Sequence, residues 1–322
     1  MEEKTSQTNP EAYKPPFFLF NAHLETIFPS LFRRVSNVPF VRERIVTPDE
    51  DFLDLDWVKK GSSKLVIISH GLEGNSTRGY VKGMARAALM QGFDVLAWNF
   101  RGCSGELNSK MKFYHSGATD DLGVVIEHAR KSYPEIYLVG FSLGGNLTLK
   151  FLGEQHVPKE VKRVVALSVP LNLHTSCQQI ALPSNWIYQR RFLKSLQAKV
   201  EAKAKHFPAI DTTGMRELKT LMDFDDRYTA PLHGFENAVD YYQRCSAIHF
   251  LADINIPTLI VNAKNDPFLS SDCYPVHELK SHPYVSLEVP TFGGHVGFAQ
   301  IGKNGLYWSE ERALRFLSQP TV

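Results

Sequence analysis

The chain has 322 residues, of which 43% are hydrophobic and 22% charged, enough apolar content for a large buried core. Its formal net charge of +2 gives no electrostatic reason to expect nucleic acid as a partner. The four cysteines are widely spaced, without a CxxC pair or a metal-type spacing. This spacing favours free thiols in a reducing cytoplasm, and we predict neither a bound metal nor a cofactor.

The first residues show no targeting signal. Residues 1–16 are polar and acidic, and they carry neither the basic nor the apolar segment of a signal peptide. The apolar run at 17–20 is far shorter than the roughly 18 residues of a membrane span. We therefore expect a flexible tail over 1–16 and a cytoplasmic protein, with contact at a membrane surface left open.

Short apolar segments alternate with helical segments along much of the chain. Residues 42–47 and 52–58 alternate apolar and polar side chains, which predicts two antiparallel strands at a sheet edge. Residues 65–69 are continuously apolar, as expected for a strand buried on both faces. Further strands are predicted over 93–98, 136–139, 164–168, 258–262 and 285–289, with helices over 80–91, 117–131, 145–152 and 309–317. This alternation predicts an α/β fold, a mostly parallel sheet flanked by helices on both faces.

The alternation stops between residues 171 and 250, where helical segments occur without a clear buried strand. We expect a helical cap inserted above the sheet there, with 17–170 and 251–322 forming the core. Within that core, residues 17–34 predict short helical turns interrupted at Pro29.

Residues 140–144 read Gly-Phe-Ser-Leu-Gly and lie between a predicted strand and a predicted helix. A strand, a tight turn with one serine between small residues and a helix form the arrangement called a nucleophile elbow. Such a turn strains the serine backbone, and a side chain two residues before or after it would clash across the turn. Ser142 is therefore predicted to be a nucleophile.

A serine nucleophile needs a base, and the base needs a third group that fixes its tautomer. Asp266 follows the seventh predicted strand and His295 the eighth, so both lie on loops beyond the carboxyl ends of strands. Asp272 is the nearest rival of Asp266, whereas Asp253 precedes the strand and lies at the wrong end. The order Ser142, Asp266, His295 predicts a catalytic triad.

The oxyanion formed in acyl transfer is usually held by two backbone N–H groups. One is expected at Leu143, the residue after the nucleophile. The other is expected in the turn after the third predicted strand, at Leu72 with Gly71 as the alternative. A glycine-rich turn without this role is the other interpretation of that segment.

Several longer segments resemble one family. They are HGLEGNS (70–76), NFRGCSGELN (99–108), YHSGATDDL (114–122), GFSLGGN (140–146), NAKNDPFL (262–269) and GGHVGF (293–298), and NAHLETIFP (21–29) and TAPLHGF (229–235) also fit. With these segments the chain resembles the YheT-like branch of the α/β-hydrolases, which includes mammalian ABHD lipases and yeast medium-chain acyl ester synthase/esterases. The resemblance implies an α/β-hydrolase fold, the triad given above and a small-molecule acyl ester or lipid substrate. Unlike the membrane-bound members, this sequence shows no N-terminal transmembrane anchor, so a soluble esterase is expected.

Three further features admit two interpretations each. His115 and Asp120 have the His-x4-Asp spacing of glycerolipid acyltransferases, but they also lie at a predicted helix start, where an acidic residue complements the helix dipole. Arg101 either binds an acidic substrate group or braces loops. Asp225 and Asp226 are adjacent carboxylates without further acids or histidines at ligand spacing, and we predict no metal there.

The predicted helix over 187–205 is amphipathic and basic. A helix of this kind either lies on an anionic membrane surface or covers the core with its charged face in solvent. In both cases we expect 171–250 to set acyl specificity. The oligomeric state is not indicated.

The sequence thus predicts a serine hydrolase that cleaves short- to medium-chain acyl esters or lipids through an acyl-enzyme. An acyltransferase with an alcohol acceptor would use the same acyl-enzyme. A non-catalytic lipid-binding protein of the same fold is the alternative from another class, and the presence of all three triad residues argues against it.

Overall fold

Eight strands form one sheet in the computed structural model, which describes residues 13–302 and 304–320. The strands are β1 Val41–Val46, β2 Phe52–Val58, β3 Lys64–Ser69, β4 Asp94–Asn99, β5 Glu135–Phe141, β6 Val161–Leu167, β7 Thr258–Val261 and β8 Val285–Glu288. Their order across the sheet is β1-β2-β4-β3-β5-β6-β7-β8. The β1–β2 and β2–β4 pairs are antiparallel and all other pairs are parallel. The predicted parallel sheet with an antiparallel edge is confirmed.

Helices cover both faces of this sheet. Within the described ranges they are α1 Ala22–Phe32, α2 Gly79–Met90, α3 Thr119–Ala129, α4 Leu143–Glu154, α5 Leu173–Ile180, α6 Trp186–Ala204, α7 Leu221–Phe224, α8 Ala230–Leu232, α9 Ala238–Cys245, α10 Val276–Leu279 and α11 Trp308–Leu317. Side chains of α2 and α11 share one apolar cluster with the sheet, and those of α3 and α4 share the other. No helix in residues 13–302 and 304–320 combines the length and apolar content needed to cross a membrane.

The central strands read as continuous apolar runs because both of their faces are buried. In β3, Leu65 and Ile67 point into the cluster under α3 and α4, whereas Val66 and Ile68 point into the cluster under α2 and α11. Successive side chains of a strand point to opposite faces, so an apolar residue is required at every position.

The segment 171–250 contains α5 to α9, joined in part by a π-helical stretch Asp225–Thr229, and no strand. Its buried side chains, with Val200 and Phe224 among them, form a third apolar cluster separate from the two at the sheet. Both features support a helical cap at 171–250 on a core of 17–170 and 251–322.

Two details near the start of the chain differ from the sequence prediction. Residues 1–12 of the predicted tail lie outside the described residues, but Tyr13 is only 4% exposed and donates its hydroxyl to the Ala299 carbonyl at 2.9 Å. Its ring also packs edge-on against Phe298, so the chain is anchored before residue 16.

The expected interruption at Pro29 is wrong as well, because α1 continues through it. A proline removes one N–H donor, and α1 tolerates that loss.

Candidate active site

Ser142 lies in the sharp turn between β5 and α4, with a backbone φ of 51° and ψ of −119°. This conformation is rare for residues with a side chain and places strain at the turn. A Cβ atom added at Gly140 would lie 2.6 Å from the Gly144 carbonyl oxygen, and one at Gly144 would lie 2.6 Å from the Ser69 carbonyl oxygen. The turn therefore excludes larger residues at both glycine positions.

The structure brings Ser142, His295 and Asp266 together beyond the carboxyl ends of β5, β8 and β7. His295 Nε2 lies 2.9 Å from Ser142 Oγ, and His295 Nδ1 lies 2.8 Å from Asp266 Oδ2. Asp266 is buried, and burial raises the pKa of its carboxyl although the hydrogen bond with His295 opposes the rise. One imidazole tautomer, protonated on Nδ1, satisfies both contacts and leaves Nε2 free to accept the serine proton.

Helix α1 braces the loop that carries His295. The buried Glu25 carboxylate accepts the Gly293 N–H at 2.5 Å and the Asn265 side-chain amide at 2.9 Å. Thr26 Oγ1 accepts the backbone N–H of His295 at 2.9 Å. Burial raises the pKa of Glu25, and these hydrogen bonds partly offset that effect. The sequence analysis missed this brace, for which the signal was an acidic residue, Glu25, in a segment rich in aromatic and leucine side chains.

The turn after β3 passes beside Ser142 and supplies backbone N–H groups. The Gly71 N–H donates to Tyr80 Oη at 2.9 Å and is occupied. The Leu72 N–H and the Leu143 N–H, at the start of α4, donate to no acceptor among the residues that the structure describes. Leu72, Leu143 and Ser142 line one cavity. The geometry thus favours Leu72 over Gly71 as the second donor to an oxyanion.

His70 fixes the orientation of the peptide between Gly71 and Leu72. Its Nε2 accepts the Phe100 N–H at 3.1 Å, so its Nδ1 carries the proton and donates to the Gly71 carbonyl at 2.8 Å. Burial lowers the pKa of His70 to about 3, and the ring is therefore neutral at physiological pH. Because a peptide unit is planar, a fixed Gly71 carbonyl also fixes the Leu72 N–H on its opposite side.

Glu73 ties the same turn to helix α6 of the segment 171–250. Its carboxylate accepts Lys199 Nζ at 2.5 Å, Ser195 Oγ at 2.7 Å and, from beside the sheet, Tyr114 Oη at 2.8 Å. The side chains of Glu73 and Lys199 are 9% and 10% exposed, so the ion pair is largely removed from solvent. Burial opposes ionisation, but the Lys199 ammonium holds the pKa of Glu73 below its usual value.

Two cavities meet at Ser142. The inner cavity lies between the sheet and the helices of 171–250, and its apolar walls are formed by Leu72, Leu143, Leu173, Ile180, Phe192, Leu196, Leu221 and Phe268. At its polar part, the Asp225 carboxylate accepts Tyr242 Oη at 2.7 Å and Thr229 Oγ1 at 2.5 Å. The outer cavity, of about 430 Å³, also contains Ser142 and His295 and lies between α1 and α6. A molecule longer than one cavity can therefore pass the serine.

His115 and Asp120 do not form a pair. Asp120 is exposed in the first turn of α3, and no hydrogen bond joins it to His115 in the described part of the chain. His115 lines the inner cavity, where burial and the neighbouring His233 lower its pKa well below the usual value. This arrangement favours the structural interpretation of the His-x4-Asp spacing, with a neutral His115.

Arg101 braces loops, which confirms one of its two predicted interpretations. Its guanidinium, 6% exposed, binds the Asp121, Asp51 and Asp49 carboxylates at 2.7, 3.0 and 2.8 Å.

The adjacent acids Asp225 and Asp226 also have structural partners, since Asp226 accepts the Ala238 N–H at 3.0 Å. No group of three or more possible metal ligands occurs within 13–302 and 304–320.

Comparisons with known proteins agree with this architecture. Residues 64–299 match the family model described as the alpha/beta hydrolase fold. The YheT protein of Escherichia coli (strain K12) is 34% identical over 304 residues, which cover 91% of this chain and 88% of YheT. Phospholipase ABHD3 of Bos taurus is 28% identical over 303 residues, covering 90% of this chain and 74% of that protein.

A solved structure shares the fold. The Pyrococcus furiosus esterase Pf2001 superposes with a TM-score of 0.60 at 18% identity, over 90% of this chain and 97% of the esterase. At this identity the similarity between this chain and the esterase shows a shared fold only. The family model, in contrast, matches most of this sequence, and the alignment with YheT covers nearly all of it. The chain therefore belongs to the α/β-hydrolase fold family and, within it, to the YheT-like branch.

Proposed function

We propose that the protein is a carboxylic ester hydrolase in which Ser142 is the nucleophile, His295 the general base and acid, and Asp266 the group that orients His295. The observation that carries this proposal is the continuous hydrogen-bonded chain from Ser142 Oγ through His295 to Asp266, at 2.9 and 2.8 Å. Two proteins similar to this chain, phospholipase ABHD3 and the esterase Pf2001, are named for the same class of enzyme, which supports the proposal.

The reaction proceeds through an acyl-enzyme. Ser142 Oγ attacks the ester carbonyl carbon while its proton passes to His295 Nε2, and the oxyanion accepts the N–H groups of Leu72 and Leu143. The tetrahedral intermediate then expels the alcohol, which takes the proton from His295. Water attacks the acyl-enzyme with His295 again as base, releasing the carboxylic acid and restoring Ser142.

The two cavities divide the substrate at its carbonyl. The acyl chain lies in the inner cavity, whose walls near Ser142 are apolar, and the alcohol portion lies in the outer cavity. The buried carboxyl of Asp225 interrupts the apolar wall and is a poor neighbour for a long alkyl chain. We therefore assign short- to medium-chain acyl esters or lipids as the substrate class. The four buried free cysteines suit the reducing cytoplasm, where we place this activity.

The experiment that tests this proposal compares p-nitrophenyl esters from acetate to palmitate with wild type, Ser142→Ala and Ser30→Ala. Ser30 also lines the outer cavity, but it contacts no base and serves as the matched control. We expect a rate maximum at one acyl length, a loss of about 10⁴-fold or more in kcat for Ser142→Ala and no change for Ser30→Ala.

Equal rates for Ser142→Ala and wild type would overturn the nucleophile assignment. If the folded protein hydrolyses no ester, two measurements separate the alternatives. Ester formation when an alcohol acceptor is supplied identifies an acyltransferase, and a lack of labelling by a fluorophosphonate identifies a non-catalytic lipid-binding protein.

A further inference from the structure

The outer cavity is bordered by large apolar side chains that face solvent. Five of them, from the segment before α1, from α1 and from the start of α6, form what we call the mouth surface: Phe17, Leu31, Phe32, Trp186 and Ile187. Their exposed fractions run from 91% at Phe17 to 51% at Ile187. Single exposed apolar residues are ordinary, but a grouped set beside a cavity marks an interaction site.

The mouth surface is continuous with the outer cavity. Leu31 and Ile187 line the cavity directly. From α1, a row of ring contacts extends outward, with ring centroids 5.1 Å apart for Phe28 and Phe32 and 5.3 Å apart for Phe18 and Phe28. Phe17 continues that row through Phe18. A partner that covers these rings would also cover the cavity opening.

Direct contacts hold α1 and α6 together, so the mouth surface is a single unit. His23 Nδ1 lies 3.1 Å from Tyr188 Oη, and the two rings stack. Arg191 Nη1 donates to Ser30 Oγ at 3.4 Å. The two helices therefore present their exposed side chains in one fixed arrangement.

Cations surround this apolar surface without acidic partners. Arg190 and Lys194 follow Trp186 at helical spacings of four and eight, and Arg191 follows Ile187 by four, so they share the exposed face of α6. Arg78 lies across the outer cavity. In the described ranges none of these four cations forms an ion pair.

We propose that the mouth surface and its cations dock the protein on an anionic lipid bilayer, with the outer cavity facing the membrane. Aromatic and aliphatic side chains enter the interfacial region while arginine and lysine contact anionic headgroups. A second copy of this chain fits less well, because a twofold contact would place the same four cations against each other. The proposal goes beyond ester hydrolysis and gives a lipid ester a route to Ser142.

The test is sedimentation of the full chain with phosphatidylcholine vesicles and with vesicles that also contain phosphatidylglycerol. We expect binding to the anionic vesicles that weakens with added salt. Arg190→Gln combined with Lys194→Gln is expected to lower the partition coefficient roughly 25-fold, about fivefold for each cation removed. Trp186→Ser combined with Ile187→Ser is expected to lower it by a similar factor through lost apolar contact.

The matched control is Lys59→Gln combined with Lys60→Gln. Both lysines are exposed and follow β2, whose last residue Val58 pairs with Val95 near the start of β4. They therefore lie at the end of the sheet opposite Ser142, and removing the same two charges there leaves docking unchanged. Hydrolysis of a soluble p-nitrophenyl ester should stay at the wild-type rate in the charge variants of α6 and in the control, because none of these four residues lines either cavity.

Each outcome decides the proposal. It is overturned if the full chain sediments with neither vesicle, if the control weakens binding as much as the α6 variants, or if those variants instead abolish a dimer seen by size exclusion. Vesicle binding that depends on the α6 variants supports docking even if the protein hydrolyses no ester. In that case the proposed function fails and docking stands.

Discussion

At the scale of single residues, the proposed site depends on residues outside the triad. His70 is the example, since it holds the Gly71 carbonyl through Nδ1 and the Phe100 N–H through Nε2. A charged imidazolium would have to donate from both nitrogens and would lose the bond from Phe100. The low pKa caused by burial keeps the ring neutral and both bonds in place. Its role in the proposed mechanism is to position the Leu72 N–H.

We predict that His70→Ala lowers kcat by about 10- to 100-fold and leaves KM nearly unchanged, because the oxyanion contact forms in the transition state and loss of a whole donor costs about 10²- to 10³-fold. Steady-state kinetics with a soluble ester measure both parameters, with the exposed His277→Ala as control. A raised KM at unchanged kcat would contradict the positioning role. Partial recovery of kcat in His70→Gln, whose amide is still able to donate, would support it.

At the scale of elements, the Glu73–Lys199 ion pair couples α6 to the turn after β3. The pair is largely buried, and its charges depend on each other because few water molecules remain to solvate either one. A displacement of α6 would therefore also displace Glu73, the residue directly after Leu72.

We predict that Lys199→Met lowers the free energy of unfolding by about 3 to 5 kcal/mol, because it leaves the Glu73 carboxylate buried without its cation. The double variant Glu73→Gln with Lys199→Met should recover part of that loss, since no unpaired charge remains. Urea unfolding of the two single variants and the double variant measures the coupling. Additive losses would show that the two side chains act independently.

Much of the sheet, and the positions of the residues in the proposed triad, could be predicted from local patterns. The strands follow from apolar runs, the serine turn from Gly140 and Gly144, and the positions of Asp266 and His295 from the strands that they follow. The brace by Glu25 and the tie by Glu73 could not be predicted in this way. Both join residues more than a hundred positions apart, and no local periodicity encodes such contacts.

At the scale of the whole molecule, Asp225 links stability to pH. Burial raises the pKa of its carboxyl from 3.8 to about 6, although hydrogen bonds from Thr229 and Tyr242 lower it. The folded state thus holds this proton more tightly than the unfolded state. Between pH 4 and pH 6 the folded chain binds more protons, so stability falls as pH rises, and the full loss is present above pH 6.

We predict that wild type loses up to about 3 kcal/mol more unfolding free energy than Asp225→Asn between pH 4 and pH 7, since each pKa unit corresponds to about 1.4 kcal/mol. Urea unfolding at several pH values measures this difference, and other titrating groups cancel because both proteins contain them. The exposed Asp253→Asn is the control and should follow wild type at every pH. A constant difference between Asp225→Asn and wild type would rule out Asp225 as the titrating group.

The brace between α1 and the His295 loop has a consequence for biosynthesis. Glu25 bonds to a residue 268 positions later, and Thr26 to one 269 positions later. During translation, α1 and the serine turn leave the ribosome long before His295 has been synthesised. Until then Glu25 has no partner in the loop that carries His295. Contacts of such long sequence separation form late in folding. Reactivity of Ser142 thus reports that synthesis has passed residue 295 and that the loop carrying His295 has packed against α1.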